Sequence, residues 1–244
     1  MTDIQRVAIV TGGSRGIGRA AAERLAADGQ AVVIGYAGNE TEANAAVKTI
    51  ESAGGRAVAV RADIADPGAV RTLFDTAEQR YGGVDVVVNA AGIMILSPLA
   101  ELDLDDLDRM HRSNIRGAFV VSQEAARRVR AGGAIINFST SVTRLSLPAY
   151  SAYAASKAAV EALSPILAKE LRGRDITVNA VAPGPTATAL FLDGKSDELV
   201  QQIAGQNPMG RLGRPEDIAE VVSSLAGPAR WINGQTIFVN GGAA

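Results

Sequence analysis

A tyrosine and a lysine four residues apart suggest proton-transfer chemistry. The segment 151–157 reads SAYAASK and is predicted to open a helix. Because residues four apart share a helix face, the phenol of Tyr153 and the ammonium of Lys157 are expected side by side. A free phenol titrates near pH ~10, and a neighbouring positive charge lowers its pKa toward neutrality. The pair therefore predicts a general acid/base, although the same spacing by itself usually marks two surface residues.

A glycine-rich turn near the N-terminus predicts a binding site for a pyrophosphate. An apolar strand over 6–11 runs into the turn GGSRGIG at 12–18 and then into an alanine-rich helix. In such strand–turn–helix units, backbone N–H groups and the helix N-terminus hold phosphate oxygens. The spacing is G-x-x-x-G-x-G rather than the commoner G-x-G-x-x-G. The predicted cofactor contacts in this turn are Gly12, Ser14, Arg15, Gly16, Ile17 and Gly18.

Two further strands end in residues suited to a ligand site. The run VDVVVNAAG at 84–92 predicts a strand buried on both faces, closed by the small or polar residues Asn89, Ala90, Ala91 and Gly92. The run AIINFSTS at 134–141 predicts a second such strand that ends in three hydroxyls. Ligands bind at the carboxyl ends of strands in open α/β sheets, so both ends are predicted site positions.

Taken in order, these motifs resemble the short-chain dehydrogenase/reductase family, in the branch with 3-oxoacyl-acyl-carrier-protein reductases and hydroxynaphthalene reductases. The resemblance covers essentially all 244 residues. It implies that Asn114 belongs to a proton relay near Lys157, which also holds the nicotinamide ribose. It further implies an adenine contact at Asp63-Ile64 and a carboxamide contact at Thr188. The remaining implied cofactor contacts, after the sixth strand, are Pro183, Gly184 and Thr186.

The hydroxyl that positions the substrate is ambiguous in the sequence. Counting back thirteen residues from Tyr153, the family's usual distance, reaches Thr140, where the family normally has serine. Matching by residue type instead selects Ser141, and Ser139 is a third candidate. A threonine hydroxyl can donate the same hydrogen bond, with a more restricted rotamer.

The end of the second strand favours NADP over NAD as the cofactor. NAD sites place an acidic residue there to bind the free ribose hydroxyls, and positions 35–39 (GYAGN) contain none. Arg15 is positioned to pair with a 2′-phosphate, and Tyr36 and Asn39 are further predicted contacts. Against NADP, no Arg or Lys directly follows the strand.

Alternating strand and helix signals predict an α/β fold: one Rossmann-type domain, 1–244, with a seven-stranded parallel sheet and helices on both faces. Residues 186–210 read as a weakly structured insertion, which the resemblance makes a substrate lid. Strands are predicted at 6–11, 31–36, 57–61, 84–89, 133–139, 175–181 and 235–239, and helices at 16–28, 40–53, 67–80, 104–130, 151–172 and 215–226.

Composition excludes several other functions. Hydrophobic residues make up 47% of the chain, the formal charge is -2, and there is no cysteine. Nucleic-acid binding, a membrane span and a thiolate metal site are therefore not expected, and no metal site is predicted. The chain enters its first strand within about five residues, which favours a cytoplasmic protein without a signal peptide. The single histidine, His111, is predicted to be a packing residue rather than a base.

The leading functional hypothesis is an NADPH-dependent reductase of a ketone or related carbonyl compound. The alternatives are an NAD(P)-dependent alcohol or sugar dehydrogenase that works oxidatively, and a redox-sensing binding protein without turnover. Apolar faces on the helices at 151–172 and 215–226, with an edge strand at 235–239, predict a homotetramer. A mostly apolar substrate pocket is expected from Met94, Leu96, Leu145, Leu147, Tyr150, Phe191 and Leu192.

Overall fold

Seven parallel strands form one sheet through the centre of the protein, in a computed structural model that describes residues 5–244. Residues 1–4 of the predicted domain, which the expectation of no signal peptide includes, lie outside this range. The strands are β1 (Val7–Thr11), β2 (Ala31–Tyr36), β3 (Arg56–Arg61), β4 (Val84–Asn89), β5 (Val129–Phe138), β6 (Thr177–Pro183) and β7 (Thr236–Val239). Their order, β3-β2-β1-β4-β5-β6-β7, confirms the predicted fold class.

Helices cover both faces of this sheet. The helices are α1 (Gly16–Ala27), α2 (Glu40–Ser52), α3 (Pro67–Tyr81), α4 (Leu104–Met110), α5 (Gly117–Arg128), α6 (Val142–Leu145), α7 (Ser151–Glu170), α8 (Ala189–Leu192), α9 (Asp197–Gln206) and α10 (Pro215–Ala226). Apolar residues of α1, α2 and α10 pack on one face of the sheet, and those of α3, α5 and α7 pack on the other. Successive strand residues supply the two layers alternately, as in Ile9 and Val10.

The chain order reverses between β1 and β4, which is where such sheets open a crevice for ligands. Strand β1 pairs with β2 on one side and with β4 on the other, in register through Thr11 and Asn89. Helix α1, which follows β1, lies on one face of the sheet, and α5, which follows β4, lies on the other. The predicted site residues therefore converge at the carboxyl ends of β1, β4, β5 and β6.

The predicted helix at 104–130 is wrong in its continuity. The structure divides it into α4, a π-helical turn at His111–Arg116, and α5. Asn114, within that turn, directs its side chain to other parts of the protein instead of to solvent. A π turn adds one residue to the helical repeat and is frequent at functional sites.

Several other boundaries also differ from prediction, and β6 lies two residues later than the predicted 175–181. Strand β5 begins at Val129 rather than 133, because a shift in its register with β4 between Val84 and Val86 accommodates Gly132 and Gly133 within the strand. Gly132 has φ +80°, a conformation that glycine adopts without strain. The segment 186–210, predicted to be weakly structured, contains α8 and α9. Within residues 5–244, no helix is both long and apolar enough to cross a membrane.

Candidate active site

The glycine-rich turn packs directly against the loop that follows β4. Gly12 has φ +66°, and a Cβ at this position would lie 2.8 Å from Cα of Ala91. A Cβ on Gly18 would lie 2.3 Å from the carbonyl oxygen of Gly12. Side chains are therefore excluded from both positions, which leaves the backbone of the turn exposed to whatever binds at the start of α1.

The segment after β6 closes over this turn. A Cβ on Gly16, which has φ +55°, would lie 3.3 Å from Cγ2 of Thr188. Thr188 immediately precedes α8, and its hydroxyl donates to the carbonyl oxygen of Thr186, 3.4 Å away. Thr186 is buried and donates in turn to the carbonyl oxygen of Gly184. The structure thus brings the two predicted cofactor-contacting segments together at the start of α1.

A buried polar chain fixes the strand ends beneath the crevice. The Thr11 hydroxyl donates to Oδ1 of Asn89 at 2.9 Å, and the backbone N–H of Ala91 donates back to that hydroxyl at 3.3 Å. Asn89 Nδ2 lies 3.5 Å from Oδ1 of Asn137 on β5, and Asn137 donates to Ser164 on α7 at 3.2 Å. The Asn89 side chain, a predicted cofactor contact, is therefore used to tie β1, β4 and β5 together.

Asn114 joins the loop after β4 to α7. Its Oδ1 accepts from the N–H of Ile93 at 2.9 Å, while its Nδ2 donates to the carbonyl oxygen of Ile93 at 2.8 Å and to Oγ of Ser156 at 3.0 Å. Both amide N–H groups are thus engaged within the protein. A Cβ on Gly92 would lie 3.0 Å from Oδ1 of Asn114 and 3.3 Å from Nζ of Lys157. The two polar groups consequently converge on one glycine.

Lys157 is a buried ammonium with a defined partner. Its Nζ donates to the carbonyl oxygen of Phe138, 2.9 Å away at the end of β5, and lies 6.0 Å from the centre of the Tyr153 ring. Burial lowers the pKa of Lys157 to about 8, because removal from water disfavours the charged form. Because Phe138 anchors its Nζ, the Lys157 side chain is held beside Tyr153, as the four-residue spacing predicts.

Tyr153 is also buried, and the effect on its pKa is opposite to the one that the sequence predicts. Burial raises the pKa of the Tyr153 phenol to about 12, and hydrogen bonding to the side chain of Thr140 opposes that rise. The expectation of a lowered Tyr153 pKa is thus wrong for the protein alone, because desolvation of the phenolate is the largest cause of the shift. Consequently, the phenol stays protonated throughout the neutral range.

The three hydroxyls after β5 point in different directions. Thr140 lies close enough to the Tyr153 phenol for its side chain to lower the pKa of that phenol, and its hydroxyl accepts from the N–H of Val142 at 3.4 Å. Ser141 donates to the carbonyl oxygen of Ala182 at 3.2 Å, toward β6. Ser139 donates to Oε1 of Glu161 at 2.5 Å, toward α7. Of the three candidates left open by the sequence, Thr140 is therefore the one that faces the tyrosine.

The residues predicted to select the cofactor lie around the end of β2. Arg15 is exposed just before α1, and Tyr36 is buried at the last position of β2. Asn39 caps α2 by accepting from the N–H of Glu42 at 3.1 Å, so its oxygen already has a partner. Arg61 of β3 donates to the carbonyl oxygen of Ala37 and holds the loop between β2 and α2.

The predicted adenine contact lies beyond β3. Asp63 is half exposed, accepts from the N–H of Ala65, and pairs with Arg112 at 2.5 Å. Ile64 is buried, and a Cβ on Gly117 would lie 2.5 Å from its side chain. Ile64 therefore packs beneath α5, while both carboxylate oxygens of Asp63 already have partners within the protein.

An apolar wall packs around Tyr153. Tyr150 meets Tyr153 edge to face, with ring centroids 6.5 Å apart. Leu96, Leu147 and Leu192 of the predicted pocket are more than a third exposed. The buried part of the wall consists of Met110, Ala152 and Tyr153, with Ile93, Met94, Ile95, Leu102, Leu107 and Tyr150 packed against them.

Comparison with known proteins identifies this architecture. A family model described as enoyl-(acyl carrier protein) reductase matches residues 12–244. An NADPH-dependent aldehyde reductase-like protein, chloroplastic, from Arabidopsis thaliana is 46% identical over 254 residues, covering 97% of this chain and 93% of the relative. These matches decide the family. The chain belongs to the short-chain dehydrogenase/reductases.

Solved structures of short-chain dehydrogenase/reductases agree with the fold. A dehydrogenase/reductase from Sinorhizobium meliloti 1021 has a TM-score of 0.93 at 40% identity, covering 98% of this chain and 94% of the other. A short-chain dehydrogenase from Burkholderia cenocepacia J2315, in complex with NADP, has a TM-score of 0.91 at 41% identity, covering 98% of both chains. The predicted family and its oxidoreductase class are confirmed.

Sequence reasoning missed two polar residues of this short-chain dehydrogenase/reductase. Ser156 is fully buried, accepts from Asn114 and donates to the carbonyl oxygen of Tyr153 at 2.8 Å. Glu161 accepts from Ser139 and, at 2.9 Å, from Thr143. Glu161 follows Lys157 by four residues, so the same spacing that selected the lysine places it on the same helix face.

Proposed function

We propose that this protein is an NADPH-dependent carbonyl reductase in which Tyr153 donates the proton. The observation that carries the proposal is the buried, protonated phenol held beside a buried ammonium and the Thr140 hydroxyl. A phenol whose pKa is raised to about 12 keeps its proton at neutral pH. Tyr153 can therefore supply the proton that reduction consumes, and the same group would accept it in the oxidative direction. The NADPH named for the Arabidopsis relative is what favours reduction.

The crevice fits a dinucleotide. The turn at Gly12, Gly16 and Gly18 presents backbone at the start of a twelve-residue helix and has no room for side chains at Gly12 or Gly18. An NADPH requirement is named for the Arabidopsis relative, and NADP is present in the Burkholderia complex. These two findings, with the absence of an acid at 35–39 and the exposed Arg15, support NADP as the cofactor.

The proposed cofactor contacts extend from the turn to both sides of the crevice. Arg15, Tyr36 and Asn39 would bind the 2′-phosphate end, and Asp63 and Ile64 the adenine. Thr188, which reaches back over Gly16, would hold the carboxamide. The other proposed contacts are Gly12, Ser14, Gly16, Ile17, Gly18, Asn89, Ala90, Ala91, Gly92, Tyr153, Lys157, Pro183, Gly184 and Thr186.

The bound nicotinamide would supply a hydride to the carbonyl carbon of the substrate. Tyr153 would donate its phenolic proton to the carbonyl oxygen, and Thr140 would donate a hydrogen bond to the same oxygen. Lys157, held by the carbonyl oxygen of Phe138, would stabilise the phenolate that remains. Asn114 would keep the loop of Ile93 against α7, so that this side of the site stays closed to bulk water.

The surroundings of the phenol favour a hydrophobic carbonyl substrate. The wall beside Tyr153 is built from methionine, isoleucine, leucine and tyrosine side chains. Such a surface binds acyl chains or rings through burial of apolar area. We therefore propose an acyl, aromatic or alicyclic ketone, or a related aldehyde, as the substrate class.

A homotetramer remains our proposal for the assembly, but the surface that supports it is smaller than predicted. Five residues from the apolar faces of the helices predicted at 151–172 and 215–226 are buried within the chain itself: Val160, Leu167, Ile218, Val222 and Leu225. The exposed apolar residues of this region are Ile166, Trp231 and Ile232, near the edge formed by β7. The cytoplasmic location also stays a proposal, since the Arabidopsis relative is named as chloroplastic.

A nicotinamide absorbance assay tests the proposed function. The purified protein is mixed with NADPH or NADH and one of three substrate types: an acetoacetyl thioester, a cyclic ketone or an aromatic aldehyde. Consumption of NADPH with at least one hydrophobic carbonyl compound is the expected result. Turnover of alcohols with NADP⁺ but of no carbonyl compound with NADPH would instead favour the oxidative alternative.

A further inference from the structure

The loop that carries Thr140 is held at three points by α7. Lys157 donates to the carbonyl oxygen of Phe138, just before the loop. One turn later, Oε1 of Glu161 accepts from the hydroxyl of Ser139 at 2.5 Å and from that of Thr143 at 2.9 Å. Ser139 precedes Thr140 by one residue and Thr143 follows it by three. A single carboxylate oxygen therefore clamps the loop on both sides of the hydroxyl that faces Tyr153.

The opposite side of the same loop is attached to β6 through its backbone. The N–H of Ser139 donates to the carbonyl oxygen of Val181 at 2.7 Å, and the N–H of Ser141 donates to that of Pro183 at 2.9 Å. These bonds fix the height of the loop above the sheet. On the side of α7, which carries Tyr153, the loop is hydrogen-bonded to Lys157 and Glu161.

A carboxylate is well suited to this clamp. It has no proton to donate, and its oxygens accept several hydrogen bonds, so two hydroxyls can converge on one of them. Hydrogen bonds to an ionised acceptor are shorter and about twice as strong as neutral ones. Thr143 has one hydroxyl proton, which it shares between Glu161 and the carbonyl oxygen of Thr140 at 2.9 Å. Removal of the carboxylate would release both hydroxyls.

We infer that Glu161 is a positioning residue for proton transfer, acting through Thr140 rather than on the substrate itself. This inference rests on the proposed function, because it assigns Thr140 the hydrogen bond to the substrate oxygen. The same placement also controls how closely the Thr140 side chain approaches the phenol of Tyr153. A displacement of about 1 Å at such a group can cost up to about 100-fold in rate.

The test is a double-mutant cycle with a conservative variant. Glu161→Leu removes both acceptors at similar volume, Glu161→Gln keeps an acceptor oxygen, and Thr140→Val removes the hydroxyl that is positioned. We expect Glu161→Leu to lower kcat by about tenfold or more with KM for NADPH unchanged, and Glu161→Gln to stay within about threefold of wild type. In the Thr140→Val background, Glu161→Leu should have almost no further effect.

Two measurements separate positioning from general damage to the fold. The affinity for NADPH, measured by fluorescence titration, should be the same in Glu161→Leu and wild type, and the melting temperature reports folding. Glu170→Leu, an exposed glutamate at the end of the same helix, is the matched control and should be unchanged. If Glu161→Leu does not fold, Thr143→Val takes its place in the cycle.

The outcomes distinguish this inference from the proposed function. Three results would each overturn the positioning role. The first is that the effects of Glu161→Leu and Thr140→Val on kcat multiply in the double variant. The others are an equal loss of kcat in Glu161→Gln and Glu161→Leu, and a loss of NADPH affinity that parallels the loss of kcat. An active Thr140→Val enzyme would instead contradict the role assigned to Thr140 under the proposed function. Both the inference and the proposed function are supported if Thr140→Val lowers kcat strongly and Glu161→Leu lowers kcat in the wild-type background but not in the Thr140→Val background.

Discussion

The ammonium nitrogen of Lys157 lies 6.0 Å from the centre of the Tyr153 ring, and both side chains are buried. Burial shifts the two pKa values apart: that of the phenol rises to about 12 and that of the ammonium falls to about 8. Both shifts favour the neutral form, because each charged form loses its hydration. The pair is therefore set to hold a proton on Tyr153 until a reaction removes it.

Lys157 should make stability depend on pH in the alkaline range. Its pKa is lower in the folded protein, about 8 against 10.5, so between these values the unfolded chain binds the extra proton. Stability therefore rises with pH in this window, by about 2 kcal/mol from pH 8 to 10. In Lys157→Met we expect that rise to disappear. Urea unfolding of the protein without cofactor at several pH values measures it.

The matched control for this experiment is Lys169→Met, which removes an exposed lysine from the same helix. This variant should keep the alkaline rise of the wild type. The raised pKa of Tyr153 acts in the opposite sense between pH 10 and 12, so the comparison stays below pH 10. A rise of equal size in Lys157→Met and wild type would show that the lysine is not the group responsible.

Cofactor preference should depend on Arg15. NADPH is expected to bind at least tenfold more tightly than NADH, and Arg15→Ala should narrow that gap, because a charge-assisted contact with the 2′-phosphate is lost. Fluorescence titration of both cofactors measures the ratio. Arg19→Ala is a suitable control, since Arg19 pairs with Glu23 farther along α1. Equal affinities for the two cofactors in wild type would refute the phosphate role.

The hydroxyl cluster gives a second comparison within the site. Thr140→Val should reduce turnover by about tenfold or more, because it removes a hydrogen bond to the developing charge on the substrate oxygen. Ser141→Ala should cost less, since that hydroxyl points to the carbonyl oxygen of Ala182. Steady-state kinetics with saturating NADPH compares the two. A larger loss in Ser141→Ala would reverse the assignment made from the orientation of the side chains.

Assembly can be tested independently of activity. Light scattering at micromolar concentration should give the mass of a tetramer. Substitution of the fully exposed Trp231 by a charged residue should lower the measured mass, because fewer chains associate. The physical reason is that a large apolar side chain at a sheet edge is stabilised when a second copy covers it. A wild-type mass near the 25.1 kDa of one chain would contradict the proposal.

Local patterns in the sequence predicted most of the fold. Continuous β-branched runs such as 84–89 and glycine turns gave the parallel sheet, and the Tyr153–Lys157 spacing gave a pair that the structure places side by side. Side-chain direction was harder to predict. Nothing local indicates that Thr140 faces α7 while Ser141 faces β6, because that choice depends on the backbone bonds to Val181 and Pro183.

Desolvation was the second effect that the sequence did not reveal. The spacing placed a positive charge near the phenol, and this proximity alone predicts a lower pKa for Tyr153. Only the packing of the neighbouring elements shows that both groups are withdrawn from water, which reverses the direction. The role of Asn114 in the π turn was also hidden in the sequence, because the hydrogen-bond partners of its side chain, Ile93 and Ser156, are distant along the chain.

The most direct test of the account is the turnover of Tyr153→Phe, measured with NADPH and a reducible carbonyl compound under conditions in which the chemical step limits the rate. Phenylalanine keeps the ring and removes only the hydroxyl. We expect turnover to fall by at least about 100-fold, the size of a lost general acid, while the affinity for NADPH changes little. Retention of more than about a tenth of wild-type turnover would contradict the assignment of Tyr153 as the proton donor.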